Sequence, residues 1–504
     1  MEPDYQEGMK KVPTGIPGFD LISLGGLPAG TNTLISGTAG SAKTLFATQF
    51  MAEGIRRSNQ SGVFVTFEEP PEAIRRNVKG LGWDIGQWEA DGKWIFVDAS
   101  PRHDWESIEA GRFDLGALLA RVEHAVRQVG AERVSIDAIS AIFSQFSDRA
   151  TIRRELFKVT AALKEVGLTT VLTAERTDEH GEIARFGVEE FVADNVVILR
   201  NSMESGRRRR TAEVLKIRGA NHQNGEYPFT VVANQGIVII PLSEIALQNR
   251  ASTTRITSGN AELDKMCGGG FFKDSIILVS GATGIGKTLV TTEFIKGGAQ
   301  SGDRSLLFSF EESEDQLARN ALAWGVDLKQ LKKTGVLKVV CDYPEVMALE
   351  DHLMRMKNTI AEFAPRRVVV DSLSVLERVS SPKAIREFLI ALTSFIKHRE
   401  IAGMVTTTNA GLMAGFSNTE DSFSTATDAI ILLRYVEMSG KLRRGLTVLK
   451  IRGSRHARDI REFVIDDKGM HIGEPFREVT GILGGAQPCL ATSETEGVGA
   501  VSRP

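Results

Sequence analysis

Cysteine is scarce in this chain: only Cys267, Cys341 and Cys489 occur among 504 residues. They are odd in number, far apart and without metal-ligand spacing, which excludes a disulfide framework and fits a reducing compartment. No apolar run reaches the ~18 residues that a membrane span needs, so no spanning helix is expected. The opening Met1-Glu2-Pro3-Asp4 is acidic and polar, which argues against a cleaved secretory segment; the expected location is the cytoplasm. A basic surplus is also missing. The net charge of −3 gives no electrostatic reason to expect nucleic acid as the main partner.

What the chain does have, it has twice. Gly37-Thr38-Ala39-Gly40-Ser41-Ala42-Lys43-Thr44 and Gly281-Ala282-Thr283-Gly284-Ile285-Gly286-Lys287-Thr288 both follow the pattern of a phosphate-binding loop (P-loop). In such a loop backbone N–H groups wrap the phosphates, the lysine reaches the terminal oxygens and the threonine hydroxyl binds Mg²⁺. The second copy satisfies the full pattern, whereas the first has Ala42 where glycine is wanted. If that position needs a positive φ, alanine costs roughly 1–2 kcal/mol there. Each copy follows an apolar run (33–35; 276–279) and precedes a helix-like stretch that starts at Leu45 or Leu289. Strand, loop, helix is the order the chemistry requires, because the anion sits at the helix N-terminus. ATP with Mg²⁺ is the expected ligand.

The duplication extends along nearly the whole chain. Lys43 and Lys287 stand 244 positions apart, and Glu68-Glu69 recurs as Glu311-Glu312 at an offset of 243. Asp137 recurs as Asp371, and Lys216-Ile217-Arg218 as Lys450-Ile451-Arg452, at an offset of 234. Short apolar runs alternate with amphipathic stretches, and four later strands follow. The expected fold is α/β: two tandem RecA-like P-loop NTPase domains, each a mostly parallel sheet flanked by helices with an antiparallel extension. The expected boundaries are 1–241 and 255–480, with a connector at 242–254 and a tail at 481–504.

The remaining parts follow from what phosphoryl transfer needs. Asp137 and Asp371 each end a β-branched run, which places a carboxylate beside the P-loop where it can support the Mg²⁺ shell through water. One carboxylate of Glu68-Glu69 or Glu311-Glu312 can orient a water or accept a proton from a hydroxyl. Lys216 with Arg218, and Lys450 with Arg452, alternate along a strand and share a face. They are candidates for fingers reaching a neighbour's phosphate, which requires a ring, of which a hexamer is the usual closed form. His222 and His456, four residues after each finger arginine, are assigned to the nucleotide border. The run Arg207-Arg208-Arg209-Arg210 reads as a solvated hairpin turn leading into the finger strand.

These residues resemble the KaiC circadian-clock ATPase and autokinase family over roughly 10–480. The resemblance rests on the doubled P-loop and doubled Glu-Glu, on 425–433 (TATDAIILL) and on 450–456 (KIRGSRH). It implies a slow ATPase in the first half and a self-phosphorylating kinase in the second, with Ser424 and Thr425 as acceptors and Trp324 at the nucleotide. Glu311 would be the base for Thr425 or Ser424, with Mg²⁺ on Thr288 near Glu311. Within the chain, Glu190 and Phe191 stand where the second half has Ser424 and Thr425, so only the second half offers hydroxyls. The sequence after 481 is shorter than the family's KaiA-recruiting tail, so KaiA is not expected as a partner; a KaiB-like partner stays open. Two other functions also stay open, a DNA-dependent RecA- or helicase-like motor and a signalling scaffold that ATP assembles with little turnover.

Overall fold

The computed structural model describes residues 9–99, 115–143, 148–187, 189–204, 206–241, 251–408, 426–438, 440–476, 479–480 and 489–490. Ser424 and Thr425 lie outside the described residues. The chain divides into two compact units, 1–246 and 247–504.

In the first unit the sheet strands are β1 (Asn32–Gly37), β2 (Gly62–Thr66), β3 (Trp94–Asp98), β4 (Arg133–Asp137), β5 (Thr169–Glu175), β6 (Asn195–Glu204), β7 (Arg207–Ile217), β8 (Glu226–Val232) and β9 (Gly236–Ile239). Their order is β3-β2-β4-β5-β1-β6-β7-β8-β9. From β3 to β6 neighbours are parallel, and from β6 to β9 antiparallel. The second unit repeats this order with β10 (Ile276–Gly281), β11 (Ser305–Ser309), β12 (Leu337–Cys341), β13 (Arg367–Asp371), β14 (Ala402–Thr408), β15 (Ala429–Met438), β16 (Lys441–Ile451), β17 (Arg461–Asp466) and β18 (Gly469–Pro475). Each unit is therefore a RecA-like mixed sheet with the P-loop strand near its middle.

The parallel strands read as unbroken apolar runs because both faces are covered. Leu34, Val63, Val65, Val196 and Ile198 enter one core cluster. Their alternates Ile35, Phe64, Val197 and Leu199 enter the other, as a two-residue side-chain period dictates. Helix α1 (Lys43–Ser58) is buried from Phe46 to Ile55 and carries the P-loop end into the second of these clusters.

A buried arginine begins the strand that ends in the candidate Mg²⁺ aspartate. Arg133, 1 % exposed, donates to Phe50 O, Pro13 O and Gln60 Oε1 and stacks on Phe50. Burial pushes it down to about 10. Arg367, fully buried, donates to Thr257 O and Phe294 O and stacks on Phe294. It also meets a counter-charge, Asp303 Oδ2 at 3.1 Å.

The four arginines at 207–210 are not a turn. Pairing of β6 with β7 continues out to Glu204 opposite Arg207, so the run begins the strand. Arg209 is buried and pairs with Glu204 at 3.5 Å, Arg208 donates to Asn201 O, and Arg210 donates to Gly40 O.

Candidate nucleotide sites

Both P-loops run from the tip of a central strand into a helix, α1 in the first unit and α2 (Lys287–Gln300) in the second. Gly37 and Gly281 are required by close approach: a Cβ would stand 2.5 Å from Leu199 O and 2.7 Å from Leu433 O. Gly40 and Gly284 have φ of 74° and 77°. Ala42 does adopt the left-handed region, at φ 72° and ψ 30°, where its counterpart Gly286 has φ 119°. Gly286→Ala is therefore expected to destabilise the second unit by about 1–2 kcal/mol. Ala42→Gly should stabilise the first by less than about 1 kcal/mol, since glycine also gains unfolded-state entropy. Thermal melts of the two variants check both signs.

Lys43 Nζ donates to Thr38 O at 3.0 Å, and Lys287 Nζ to Gly281 O and Ala282 O at 2.8 and 3.1 Å. Burial pushes both ammonium groups below their ordinary range, against carboxylates that pull them back up. Ser41 turns its hydroxyl onto Thr38 O, and Ile285 and Leu289 are fully buried, so none of these three side chains is open to a ligand; the backbone N–H of Ser41 donates to Thr38 O and that of Ile285 to Ala282 O. Thr283 is exposed at the loop crest.

Asp371, at the tip of β13, accepts from Thr288 Oγ1 at 2.9 Å and from Thr406. Asp137 has the same partners in Thr44 and Thr173. Burial raises both carboxyls above the usual carboxylate range. A divalent cation beside the P-loop threonine would offset that penalty. Among the described residues no group of three His, Cys, Asp or Glu could hold a metal by itself. This suits Mg²⁺, which binds through one or two protein oxygens, phosphates and water rather than in an all-protein cage.

The paired acids sit beside these aspartates because Phe67 N donates to Asp137 O and Phe310 N to Asp371 O. Their second members are held by asparagines one helix on: Glu69 by Asn77 and Glu312 by Asn320. Of the first members, Glu311 accepts from Ser372 Oγ at 2.7 Å. Burial and then the neighbouring Glu175 raise the carboxyl of Glu68.

A cavity of about 590 Å³ opens on the first P-loop, lined by Ala42, Lys43, Thr44, Leu45, Glu69 and Leu81 among others. That volume suits a nucleotide-sized ligand. Leu81 is the counterpart of Trp324 at the offset of 243, and Trp324 is half-buried just after α3 (Glu314–Leu322) in the second unit.

The finger candidates lie at the other end of the sheet. Gly37 at the P-loop pairs with Leu199, while Thr33 pairs with Asn195 and Asn195 with Ile217. Four residues of strand, about 13 Å, thus separate Ile217 from the P-loop end. Lys216 donates to Glu190 O and Ala193 O, and Arg218 pairs with Asp194 at 3.5 Å while 63 % exposed. Lys450 donates to Thr427 O, and Arg452 approaches Asp428 at 3.9 Å. His222 and His456 follow at the same end, half-buried. None of the six can meet a phosphate on its own unit's P-loop. Arg218 instead borders a second cleft of about 490 Å³, with Arg153, Arg154, Phe157, Lys164 and Phe191.

Sequence reasoning missed Glu175, Glu179 and Ser372. Glu175 ends β5 beside Gly37, and Glu179 accepts from the P-loop hydroxyl of Thr38. Neither recurs in the second half, where Thr408 and Ala282 stand opposite Glu175 and Thr38, so the duplication gave no signal for them.

Comparison with known proteins agrees with this geometry. The family model for the KaiC ATPase matches twice, over residues 12–244 and 256–476. The chain is 62 % identical to the circadian clock protein KaiC3 of Synechocystis sp. over 97 % of each chain. It is 51 % identical to the circadian clock oscillator protein KaiC of Thermostichus vulcanus, over 96 % of this chain and 93 % of that one. The protein of the same description from Synechococcus elongatus is 48 % identical, over 97 % and 94 %.

Proposed function

The chain belongs to the KaiC ATPase family, and from that premise we propose that it hydrolyses ATP at its first site and phosphorylates its own Ser424 and Thr425 at its second, as a timing component. The observation that carries the reading is the paired construction of the sites. In each, a P-loop threonine is bonded to a buried strand-end aspartate, with a pair of glutamates following the residue that bonds that aspartate's carbonyl. The acceptor hydroxyls exist in one half only.

In this reading Gly284–Thr288 wrap the phosphates and Lys287 pairs with the terminal oxygens. Thr288, with Asp371 and Glu311, would hold Mg²⁺, and Thr44 with Asp137 would do so in the first unit. The metal would supply neutralisation of charge on the leaving phosphates. Glu311 takes the proton of the attacking hydroxyl, and Glu68 or Glu69 positions water in the first unit. Arg218 and Arg452, with Lys216 and Lys450, complete the site of an adjoining subunit, and His222 and His456 line the same border. The basic cleft beside Arg218 and the P-loop cavity lie at different ends of one unit, which supports a head-to-tail ring, here a homohexamer. A KaiB-like protein fits as a partner of the first half.

Incubation with Mg-ATP followed by mass spectrometry tests this. Phosphate is expected on Ser424 and Thr425, and Glu311→Gln should slow its appearance by about 10²–10⁴-fold, the usual worth of a positioned base. Unmodified protein whose ATP turnover depends on added DNA would replace this reading with a motor.

A further inference from the structure

The first glutamates of the two pairs, Glu68 and Glu311, differ in what surrounds them. Glu311 is tied by the hydroxyl of Ser372; at the matching place beside Glu68 stands Ala138, which has none, and no donor to Glu68 is found among the described residues. Across the P-loop strand the contrast is reversed. Glu175 pairs with Gly37, as Thr408 pairs with Gly281. Both positions are fixed alike, Glu175 N donating to Ser140 Oγ and Thr408 N to Ser374 Oγ. The first site therefore carries two carboxylates at the same edge of its sheet, Glu68 just after β2 and Glu175 at the end of β5. Arg185 approaches only Oε2 of Glu175, at 3.4 Å. The charges of Lys43, Asp137 and Glu69 also bear on Glu68, and Glu175 is the largest charged influence on both Glu68 and Lys43.

We infer that Glu175 is a water-orienting residue of the first site, and that the exchange of Ser372 and Thr408 for Ala138 and Glu175 is what suits this site to water and the second to an alcohol. Water offers two O–H donors and a side-chain alcohol one. Glu68 and Glu175 together accept both O–H groups of a water; Glu311, with one oxygen already bonded to Ser372 and no second acid opposite, accepts the single O–H of a serine or threonine. In the hydrolytic step the water oxygen bonds to the γ-phosphorus while the bond from that phosphorus to the ADP oxygen breaks. One water proton passes to Glu68, the other stays hydrogen-bonded to Glu175, and the products are ADP and inorganic phosphate. This inference rests on the hydrolytic reading of the first site.

The test uses the full chain carrying Lys287→Ala, so that turnover reports on the first site. Glu175→Thr and Ala138→Ser are compared with this parent for ADP release at saturating Mg-ATP, for Mg-ATP affinity and for melting temperature. Glu175→Thr is expected to lower kcat about 10–100-fold while affinity stays within about threefold, with Glu175→Asp recovering part of the loss. Ala138→Ser is expected to act in the same direction. Unchanged kcat in Glu175→Thr, or a loss matched by equal losses of affinity and melting temperature, overturns the inference. A parent that binds Mg-ATP and releases no ADP overturns instead the hydrolytic reading beneath it.

Discussion

Arg218→Ala is expected to slow hydrolysis at the first site by about 10³–10⁵-fold, the range measured for arginines supplied across a subunit border, while leaving Mg-ATP binding to the P-loop largely intact. The register of the sheet places Arg218 at the end away from Lys43 and Thr44 of the same unit, so the proposed effect would be exerted on another subunit. Complementation makes this decisive. Lys43→Ala chains keep the arginine and lose the cradle, and Arg218→Ala chains do the reverse. Rings formed from equal amounts of the two should regain about a quarter of their sites, each built from one chain of either kind. Activity that stays at the level of the separate variants after mixing would show that the arginine does not act in trans. The exposed, loosely paired state of Arg218 fits a side chain whose main partner comes from outside.

Arg367→Ala should be the most damaging change away from the sites, costing the second unit about 3–5 kcal/mol because it strands a buried charge. The substitution leaves Asp303 with Arg366 at 3.6 Å as its remaining cation and removes the donor from Thr257 O and Phe294 O. Its counterpart Arg133 has Gln60 in place of an acid. Arg133→Met, which keeps volume over Phe50, breaks no bond to a carboxylate and should cost less. Calorimetry on the full chain measures this as two transitions, since a two-unit protein need not melt in one step. The upper and lower peaks should move independently. Equal costs for Arg367→Ala and Arg133→Met would refute the role given to Asp303.

The parts proposed for the nucleotide sites were legible wherever chemistry dictates both residue type and spacing. The P-loops, the strand-ending Asp137 and Asp371 and the Glu-Glu pairs stood out because each occurs twice at a nearly constant offset. Sheet order was legible in part, since runs buried on both faces imply parallel strands, and the antiparallel extension followed from the later strands. Where Arg207–Arg210 fell was misjudged because four charges suggest solvent, whereas long side chains in an extended strand can turn back onto carbonyls and acids such as Asn201 O and Glu204. The destination of Lys216 was hidden for a related reason. Opposite Val196 and Val197 the strand carries a bulge, which re-aims the residues beyond it and is invisible to counting by twos. Glu175 escaped notice because it is unique to one half, and a search for what repeats passes over what differs.

The separation of cradle and arginine along one sheet has a consequence for how such a protein is governed. If the arginine acts in trans as proposed, a solitary chain would carry two half-sites of each kind and no whole one, and catalysis would be a property of the population. At cellular scarcity the molecules would be inert yet fully folded, and rising abundance would turn them on without any modification. Synthesis and degradation would then act directly as the throttle.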